Sequence, residues 1–278
     1  MITEEENDAM LMSAAVGWRY SEFPQVEAIA LGGSYATGWA EPGSDIDLYI
    51  YQREREPIPI EVRAEIAEES SLYAEVDNQF WESGDEWIDA RTGVHLDVMF
   101  RTTEWIEAQL DRLLRRHEAS VGYTTCLWHN VRTSELMFDR EHWFEELQRY
   151  ADQPYPEALR RAIVAKNYPI LQQTASSYLY QLRRAASRGD PVSLNHRIAA
   201  LLASYFDVLF AVNRVLHPGE KRLLDFAAAR CERVPVAMER QVEALICAVS
   251  WSGAEVVACA EELVEGLEAL LREEGLLP

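Results

Sequence analysis

The chain has 278 residues and a formal net charge of -21 at pH 7, from 47 acidic and 26 basic side chains. This length allows one large or two modest domains, and the strong negative charge argues against a surface that neutralises nucleic-acid phosphates. The four cysteines lack metal-ligand spacing, and the sequence has neither a signal-peptide pattern nor an apolar run of membrane-spanning length. We therefore expect a cytoplasmic protein with free thiols and no membrane partner.

The first hundred residues alternate short apolar runs with amphipathic segments. This pattern predicts helices and strands in the order helix 4–20, strand 26–32, strand 45–51, helix 58–70 and strand 94–100. The stretch 73–91 between the last two has a mixed composition that indicates no single element. Alternation of strands and helices is typical of an α+β or α/β sheet domain.

After residue 102 the pattern becomes mainly helical, with helices predicted over 103–117 and 141–150 and a short strand at 135–138. Pro154 and Pro156 mark the best linker, because two prolines in three residues cannot continue a helix. Beyond them the sequence predicts five helices, at 157–187, 192–216, 220–231, 235–250 and 253–273. We therefore predict two domains, a small mixed-sheet domain over 1–152 and an all-α bundle over 153–278.

The strand at 26–32 runs into Gly33 and Ser34, and the next strand carries Asp45 and Asp47. Alternate residues of a strand project from the same face, so these two carboxylates can share a cation. Paired carboxylates suit Mg²⁺ held against nucleotide phosphates. Glycine leaves the backbone N–H groups of such a turn open to anionic oxygens, and Ser34 begins the following helix.

A third acid, Asp97, stands alone within the apolar strand at 94–100. An unpaired charge there is costly unless a cation meets it, which makes Asp97 a candidate site residue. His95, two positions earlier, faces the same side of the strand. The sequence leaves open whether His95 belongs to a site or is a neutral histidine at the sheet edge.

The order of strand, Gly-Ser turn, short helix and Asp-x-Asp strand, with a third acid on a neighbouring strand, resembles the DNA polymerase β type nucleotidyltransferases. The resemblance is greatest to the small-molecule and minimal branches of that superfamily. It implies a magnesium-dependent enzyme that moves a nucleoside monophosphate from an NTP, with ATP as the expected donor. Asp45, Asp47 and Asp97 would then be the catalytic residues and would hold two Mg²⁺ ions, with Asp97 as the general base.

The same resemblance implies that Gly33 and Ser34 bind the triphosphate. It also implies that a basic residue of the helical domain closes the nucleotide site, without identifying that residue. Lys221 and Arg222 follow a Pro-Gly turn and are our candidates. The alternative interpretation is a helix connection with solvated basic side chains.

The acceptor is predicted from the acidic, aromatic-containing segment 75–87. Carboxylates can bind ammonium groups and rings can pack on sugar faces, so we expect a small cationic acceptor such as an aminoglycoside, with a role in antibiotic resistance. The residues assigned to it are Glu82, Asp85, Glu86 and Trp87. Two alternatives remain: transfer to a protein hydroxyl, and a nucleotide-binding module without turnover.

Overall fold

The computed structural model describes residues 4–80, 82–250 and 252–277, with side chains from Asp8 onward in these ranges. Two units are distinguished by packing. The first comprises Met1–Asp111 and Asn130–Gln153, and the second comprises Arg112–His129 and Pro154–Pro278. The first unit contains a mixed sheet and the second is helical, which confirms the predicted fold class. Position 81, inside the predicted acceptor segment, lies outside the described residues.

Six strands form one sheet in the order β3-β4-β5-β2-β1-β6. Their bounds are β1 Val26–Leu31, β2 Ile46–Gln52, β3 Ser71–Asn78, β4 Gly84–Asp89, β5 His95–Thr102 and β6 Glu135–Asp139. The central strands β2 and β5 pair in parallel, and their other neighbours in this sheet are antiparallel. The parallel pair matters most here, because it sets the predicted Asp-x-Asp strand beside the strand of the third acid.

The helices that precede the linker are α1 Glu4–Ser21, α2 Gly33–Thr37, α3 Ile60–Glu68, α4 Thr103–Leu114, α5 Cys126–Thr133 and α6 Trp143–Ala151. Apolar side chains of α1 and α3 pack in one core with alternate residues of β2 and β5, among them Leu48 and Val98. On the other sheet face Tyr51 packs against Phe144 of α6, with ring centroids 5.1 Å apart. One face of the sheet therefore packs in the apolar core of this unit, and on the other face polar residues alternate with aromatic ones.

Strands β3 and β4 form a hairpin within the stretch that the sequence left unassigned. β3 is the edge strand of the sheet, and its pairing with β4 shifts register at two places. Leu72 and Tyr73 of this strand are both exposed. Because an edge strand with bulges needs no regular alternation of apolar and polar residues, the period of two is absent from its sequence.

The helices that follow the linker are α7 Glu157–Gln172, α8 Tyr178–Arg188, α9 Pro191–Asn213, α10 Leu223–Arg230, α11 Met238–Ala248 and α12 Gly253–Glu273. The single helix predicted over 157–187 is wrong, since α7 and α8 are separate. The side chain of Ser177 accepts a hydrogen bond from the backbone N–H of Tyr180, which begins a new helix there. No helix among the described residues is long and apolar enough to cross a membrane.

The segment 112–129 joins the helical unit, whereas the prediction placed it with the sheet. The carboxylate of Asp207, only 1% exposed, accepts hydrogen bonds from the backbone N–H of Thr124 at 2.9 Å and from its hydroxyl at 2.6 Å. The side chain of Asn167 accepts another from the N–H of Gly122 at 2.9 Å. Since these two acceptors lie on α9 and α7, they attach the loop to the bundle.

Candidate active site

Three acidic side chains form a row across neighbouring strands of the first unit. Asp97 of β5 is the register partner of Asp47 on β2 and of Glu86 on β4. Residues paired across strands project from the same face of a sheet, so the three carboxylates lie side by side. The structure thus brings together two of the three predicted catalytic acids, Asp47 and Asp97, and places Glu86, which the sequence assigned to the acceptor, beside them.

The environment of Asp97 changes its proton affinity. Burial, together with the negative charges of Asp47 and Glu86, raises the pKa of this carboxyl to about 6, and His95 partly opposes the increase. A carboxylate with this pKa is mostly ionised at pH 7 but holds a proton better than an ordinary aspartate. Asp97 therefore has the property required of a general base near neutral pH.

Asp45 lies immediately before β2, which begins at Ile46. Its Oδ1 atom is 3.2 Å from Nδ1 of His95, and Nε2 of the same ring is 3.7 Å from Oε2 of Glu86. His95 thus lies between two acids of the group. Of the two interpretations that the sequence left open, the structure supports a position beside the acidic residues.

The glycine turn after β1 packs directly against side chains of β2. The backbone of Gly33 has a φ of 60°, and a Cβ atom added there would lie 1.7 Å from Oδ2 of Asp47. At Gly32 an added Cβ atom would lie 2.0 Å from Cε2 of Tyr49. Both positions therefore require glycine, because β2 carries its side chains against this turn. Ser34 lies in the first turn of α2, next to these contacts.

The structure corrects two of the four predicted acceptor residues. Asp85 is fully buried on the opposite sheet face, where its Oδ2 accepts a hydrogen bond from Nε of Arg63 at 2.9 Å. Trp87 is 1% exposed and packs in the apolar core. Neither side chain is presented to a ligand, since a strand alternates its faces and the core face needs these groups.

The other two predicted acceptor residues face the carboxylate side. Glu86 is about one-third exposed, and its Oε1 accepts a hydrogen bond from the amide of Asn78 at 2.7 Å. Glu82 forms a two-point ion pair with Arg101, with distances of 2.8 and 3.0 Å. Glu86 therefore remains a candidate for the acceptor, whereas Glu82 already has a cationic partner.

Sequence reasoning missed two residues on this face, Tyr49 and Arg101. Tyr49 follows Asp47 by two positions on β2, and Arg101 follows Asp97 by four positions on β5. The alternation of side chains along a strand is the signal that could have assigned both residues to the face of the acids. Their partner Asn130, from α5, is too distant in sequence to be predicted.

Lys221 and Arg222 lie in the second unit, before α10. Both are exposed, and Nε of Arg222 is 2.9 Å from Oδ2 of Asp225. This ion pair fits the interpretation as a helix start. A role of either residue in binding NTP stays a prediction.

A metal centre is not preformed among the side chains that the structure describes, where no group of three or more His, Cys, Asp or Glu is arranged to hold an ion. The donor chemistry of Asp45, Asp47 and Asp97 nevertheless fits Mg²⁺, because carboxylate oxygens are its preferred protein ligands. The mutual repulsion that contributes to the raised pKa of Asp97 is the observation that supports this fit. A divalent cation beside these acids would relieve the repulsion.

Residues 15–117 match the protein family described as nucleotidyltransferase domain. The first unit carries a nucleotidyltransferase domain of the DNA polymerase β type. The matched residues include β1 to β5 and hence the acids Asp45, Asp47 and Asp97. The protein is a nucleotidyltransferase enzyme, and transfer of a nucleoside monophosphate is the reaction that this domain supports.

A second family match covers residues 124–223 and is described as a domain of unknown function, DUF4037. The matched residues include Thr124 and Asp207, whose hydrogen bonds help to attach the loop to the helical bundle. Comparison with curated proteins finds no match.

Two solved structures are similar to this nucleotidyltransferase. A nucleotidyltransferase-like protein from Exiguobacterium sibiricum 255-15 has a TM-score of 0.45 and 14% identity, covering 94% of this chain and 75% of that chain. A STING-associated CdnE c-di-GMP synthase from Capnocytophaga granulosa has a TM-score of 0.32 and 10% identity, covering 98% of this chain and 82% of that one. Both similarities are too distant to indicate a substrate.

Proposed function

We propose that this nucleotidyltransferase moves a nucleoside monophosphate from ATP to a hydroxyl group of a small cationic acceptor, such as an aminoglycoside. The observation that carries the proposal is the row of Asp47, Asp97 and Glu86 on three adjacent strands. Two of these acids serve the nucleotide end of the reaction, and the third extends the negative surface toward an acceptor. Inactivation of an antibiotic would be one use of this activity.

Asp45, Asp47 and Asp97 would hold Mg²⁺, which when bound neutralises phosphate charge and stabilises the attacking and leaving oxygens. The glycine turn contributes its backbone. Gly33 and Ser34 offer N–H groups to the triphosphate beside Asp47, the residue against which Gly33 packs. Binding at this turn would place the α-phosphate next to the row of acids.

Asp97 acts as the general base. The acceptor oxygen attacks the α-phosphorus, its proton passes to the Asp97 carboxylate, and pyrophosphate leaves. The pKa of Asp97, raised to about 6 mainly by burial, supports this role because the carboxylate is ionised at pH 7 and yet accepts a proton more readily than a solvated aspartate.

Glu86 is the proposed contact for an ammonium group of the acceptor. Its orientation is set by the hydrogen bond from Asn78, which leaves Oε2 directed toward His95 and the acidic row. The net charge of -21 also favours a cation over a polyanion such as nucleic acid. An acceptor with several amines would gain from each nearby carboxylate.

Labelled nucleotide transfer tests the proposal. The purified protein is incubated with each α-labelled NTP, MgCl₂, and separately a panel of aminoglycosides, lincosamides or cell lysate, with Asp47→Asn as the blank. Label on an aminoglycoside from ATP supports the proposal. If only a lysate protein is labelled, the acceptor is a protein hydroxyl and not a small cation. If no mixture gives a labelled product, the proposed substrates are wrong.

A further inference from the structure

A buried arginine lies behind the acidic row on the same sheet face. Arg101 is 5% exposed, and its guanidinium group stacks on the ring of Tyr49, with Cζ 4.0 Å from the ring centroid. Glu82 binds it through two oxygens, and its Nη1 donates to Oδ1 of Asn130 at 2.7 Å. The amide of Asn130 in turn donates to the hydroxyl of Tyr49 at 2.8 Å, which closes a ring of contacts.

The ring of Tyr49 is also the surface against which the glycine turn packs. A Cβ atom at Gly32 would lie 2.0 Å from Cε2 of this ring, and 2.8 Å from Cζ. The backbone N–H of Gly32 donates to the carbonyl oxygen of Asp47 at 2.8 Å, so the turn is attached to β2 two residues before Tyr49. The Tyr49 ring therefore limits one side of the space that the backbone of Gly32 can occupy, and the hydrogen bond to Asp47 holds it there.

We propose that Arg101 and Tyr49 are positioning residues for the nucleotide, and that they act by fixing the glycine turn. Arg101 holds the Tyr49 ring by stacking and through Asn130, and the ring holds Gly32. A planar guanidinium is well suited to this role, because two hydrogen bonds to one carboxylate fix the orientation of its plane and leave a flat surface for stacking. This inference rests on the proposed function of the turn as the NTP phosphate site.

The opposite face of the same sheet provides a matched control. Arg63 is 5% exposed, forms a two-point ion pair with Asp85, and stacks on Phe100 with Cζ 4.1 Å from the ring centroid. This assembly has the same chemistry as that of Arg101 but faces the apolar core. Loss of either arginine should destabilise the fold, and only loss of Arg101 should disturb the turn.

Arg101→Lys and Arg63→Lys test the proposal, since lysine keeps the charge but loses the two-point pair and the flat stacking surface. Titration calorimetry with ATP and MgCl₂ should give a dissociation constant raised about tenfold for Arg101→Lys and unchanged for Arg63→Lys. Both variants should unfold at lower urea concentration than the wild type. With an acceptor present, Arg101→Lys should raise KM for ATP more than it lowers kcat.

Equal effects of the two substitutions on ATP affinity would overturn the positioning role. If the wild type binds none of the four NTPs, the proposed function fails instead. Should either lysine variant not fold, Glu82→Gln and Asp85→Asn repeat the comparison from the carboxylate side. Weakened ATP binding in Glu82→Gln alone supports the proposal, and unchanged binding in Glu82→Gln contradicts it.

Discussion

Asp47 and Asp97 are register partners on two parallel strands, and their carboxylates project from the same face of the sheet. Placing like charges side by side opposes folding, and here the charge of Asp47 helps to raise the pKa of Asp97 to about 6. Such an arrangement is retained where the chemistry needs it. In this nucleotidyltransferase the pair is next to the glycine turn, so one small region combines the proposed base with the backbone that we propose binds phosphate.

Asp47→Asn is expected to abolish nucleotide transfer while the fold remains intact. Asparagine has nearly the same volume but lacks the charge needed to hold a cation, and the loss of one electrostatic group typically lowers the rate by about a hundredfold or more. Transfer of labelled nucleotide and far-ultraviolet circular dichroism are the measurements. The exposed substitution Glu61→Gln is the control, and turnover near the wild-type rate in Asp47→Asn would remove Asp47 from the mechanism.

Gly33→Ala should inactivate the enzyme through Asp47, whereas Gly38→Ala should not. Both glycines have positive φ, 60° and 72°, so alanine at either position costs roughly 1–2 kcal/mol of folding free energy. Only at Gly33 does the new methyl group collide with the Asp47 carboxylate, since the space around Gly38 is open. Activity and the free energy of unfolding separate the two effects, and equal losses of activity would show that backbone strain alone is responsible.

The sequence predicted regular elements well where local signals agree with tertiary packing. Helix α12 was predicted over 253–273 and is observed at Gly253–Glu273, because Ser252 caps it and its apolar side is periodic. The hairpin of β3 and β4 was missed, since its edge strand is exposed and bulged. The attachment of 112–129 to the bundle depends on Asn167 and Asp207, and contacts so distant in sequence leave no local pattern.

The site was also predictable only in part, because some of its contacts join residues that are distant in sequence. Asp45 and Asp47 were predicted from strand spacing after a Gly-Ser turn, and Asp97 was predicted as a lone acid within an apolar strand, and both are local patterns. The acceptor prediction assumed that all acids of segment 75–87 share one surface. In the structure Asp85 and Glu86 lie on opposite faces of β4, and Asp85 is buried. Arg63 compensates the buried charge there, and this partner is 22 residues away in sequence.

The second unit contains two buried groups with opposite pH effects on stability. Burial raises the pKa of Asp207 from 3.8 to about 6, so its contribution to stability is present at low pH and is lost as the pH rises through 6. Burial lowers the pKa of His217 from 6.5 to about 3, so its contribution is present above pH 6.5 and is lost on acidification. Between about pH 4 and pH 6 the two contributions oppose each other.

Asp207→Asn should therefore make the protein lose stability on acidification more steeply than the wild type, by up to about 1.4 kcal/mol per pH unit. His217→Gln should change the slope in the opposite direction. Urea unfolding between pH 4 and pH 7, followed by circular dichroism, gives the slopes, and comparison with the wild type cancels the other carboxylates. Parallel curves for all three proteins would contradict the assignment of these two groups.

Glu86→Gln is expected to weaken binding of the cationic acceptor without affecting ATP, because it removes a charge on the acceptor side of the acidic row. The attraction should also weaken as salt rises from about 0.1 M to about 1 M, where the screening length falls from about 10 Å to about 3 Å. Calorimetric titration of the aminoglycoside that accepts label measures both effects, with Glu65→Gln on the exposed side of α3 as the control. Equal affinities in the two variants would exclude Glu86 from the acceptor site. Tight binding of tRNA or single-stranded DNA at physiological salt would contradict the expectation that a protein of this charge selects a cation.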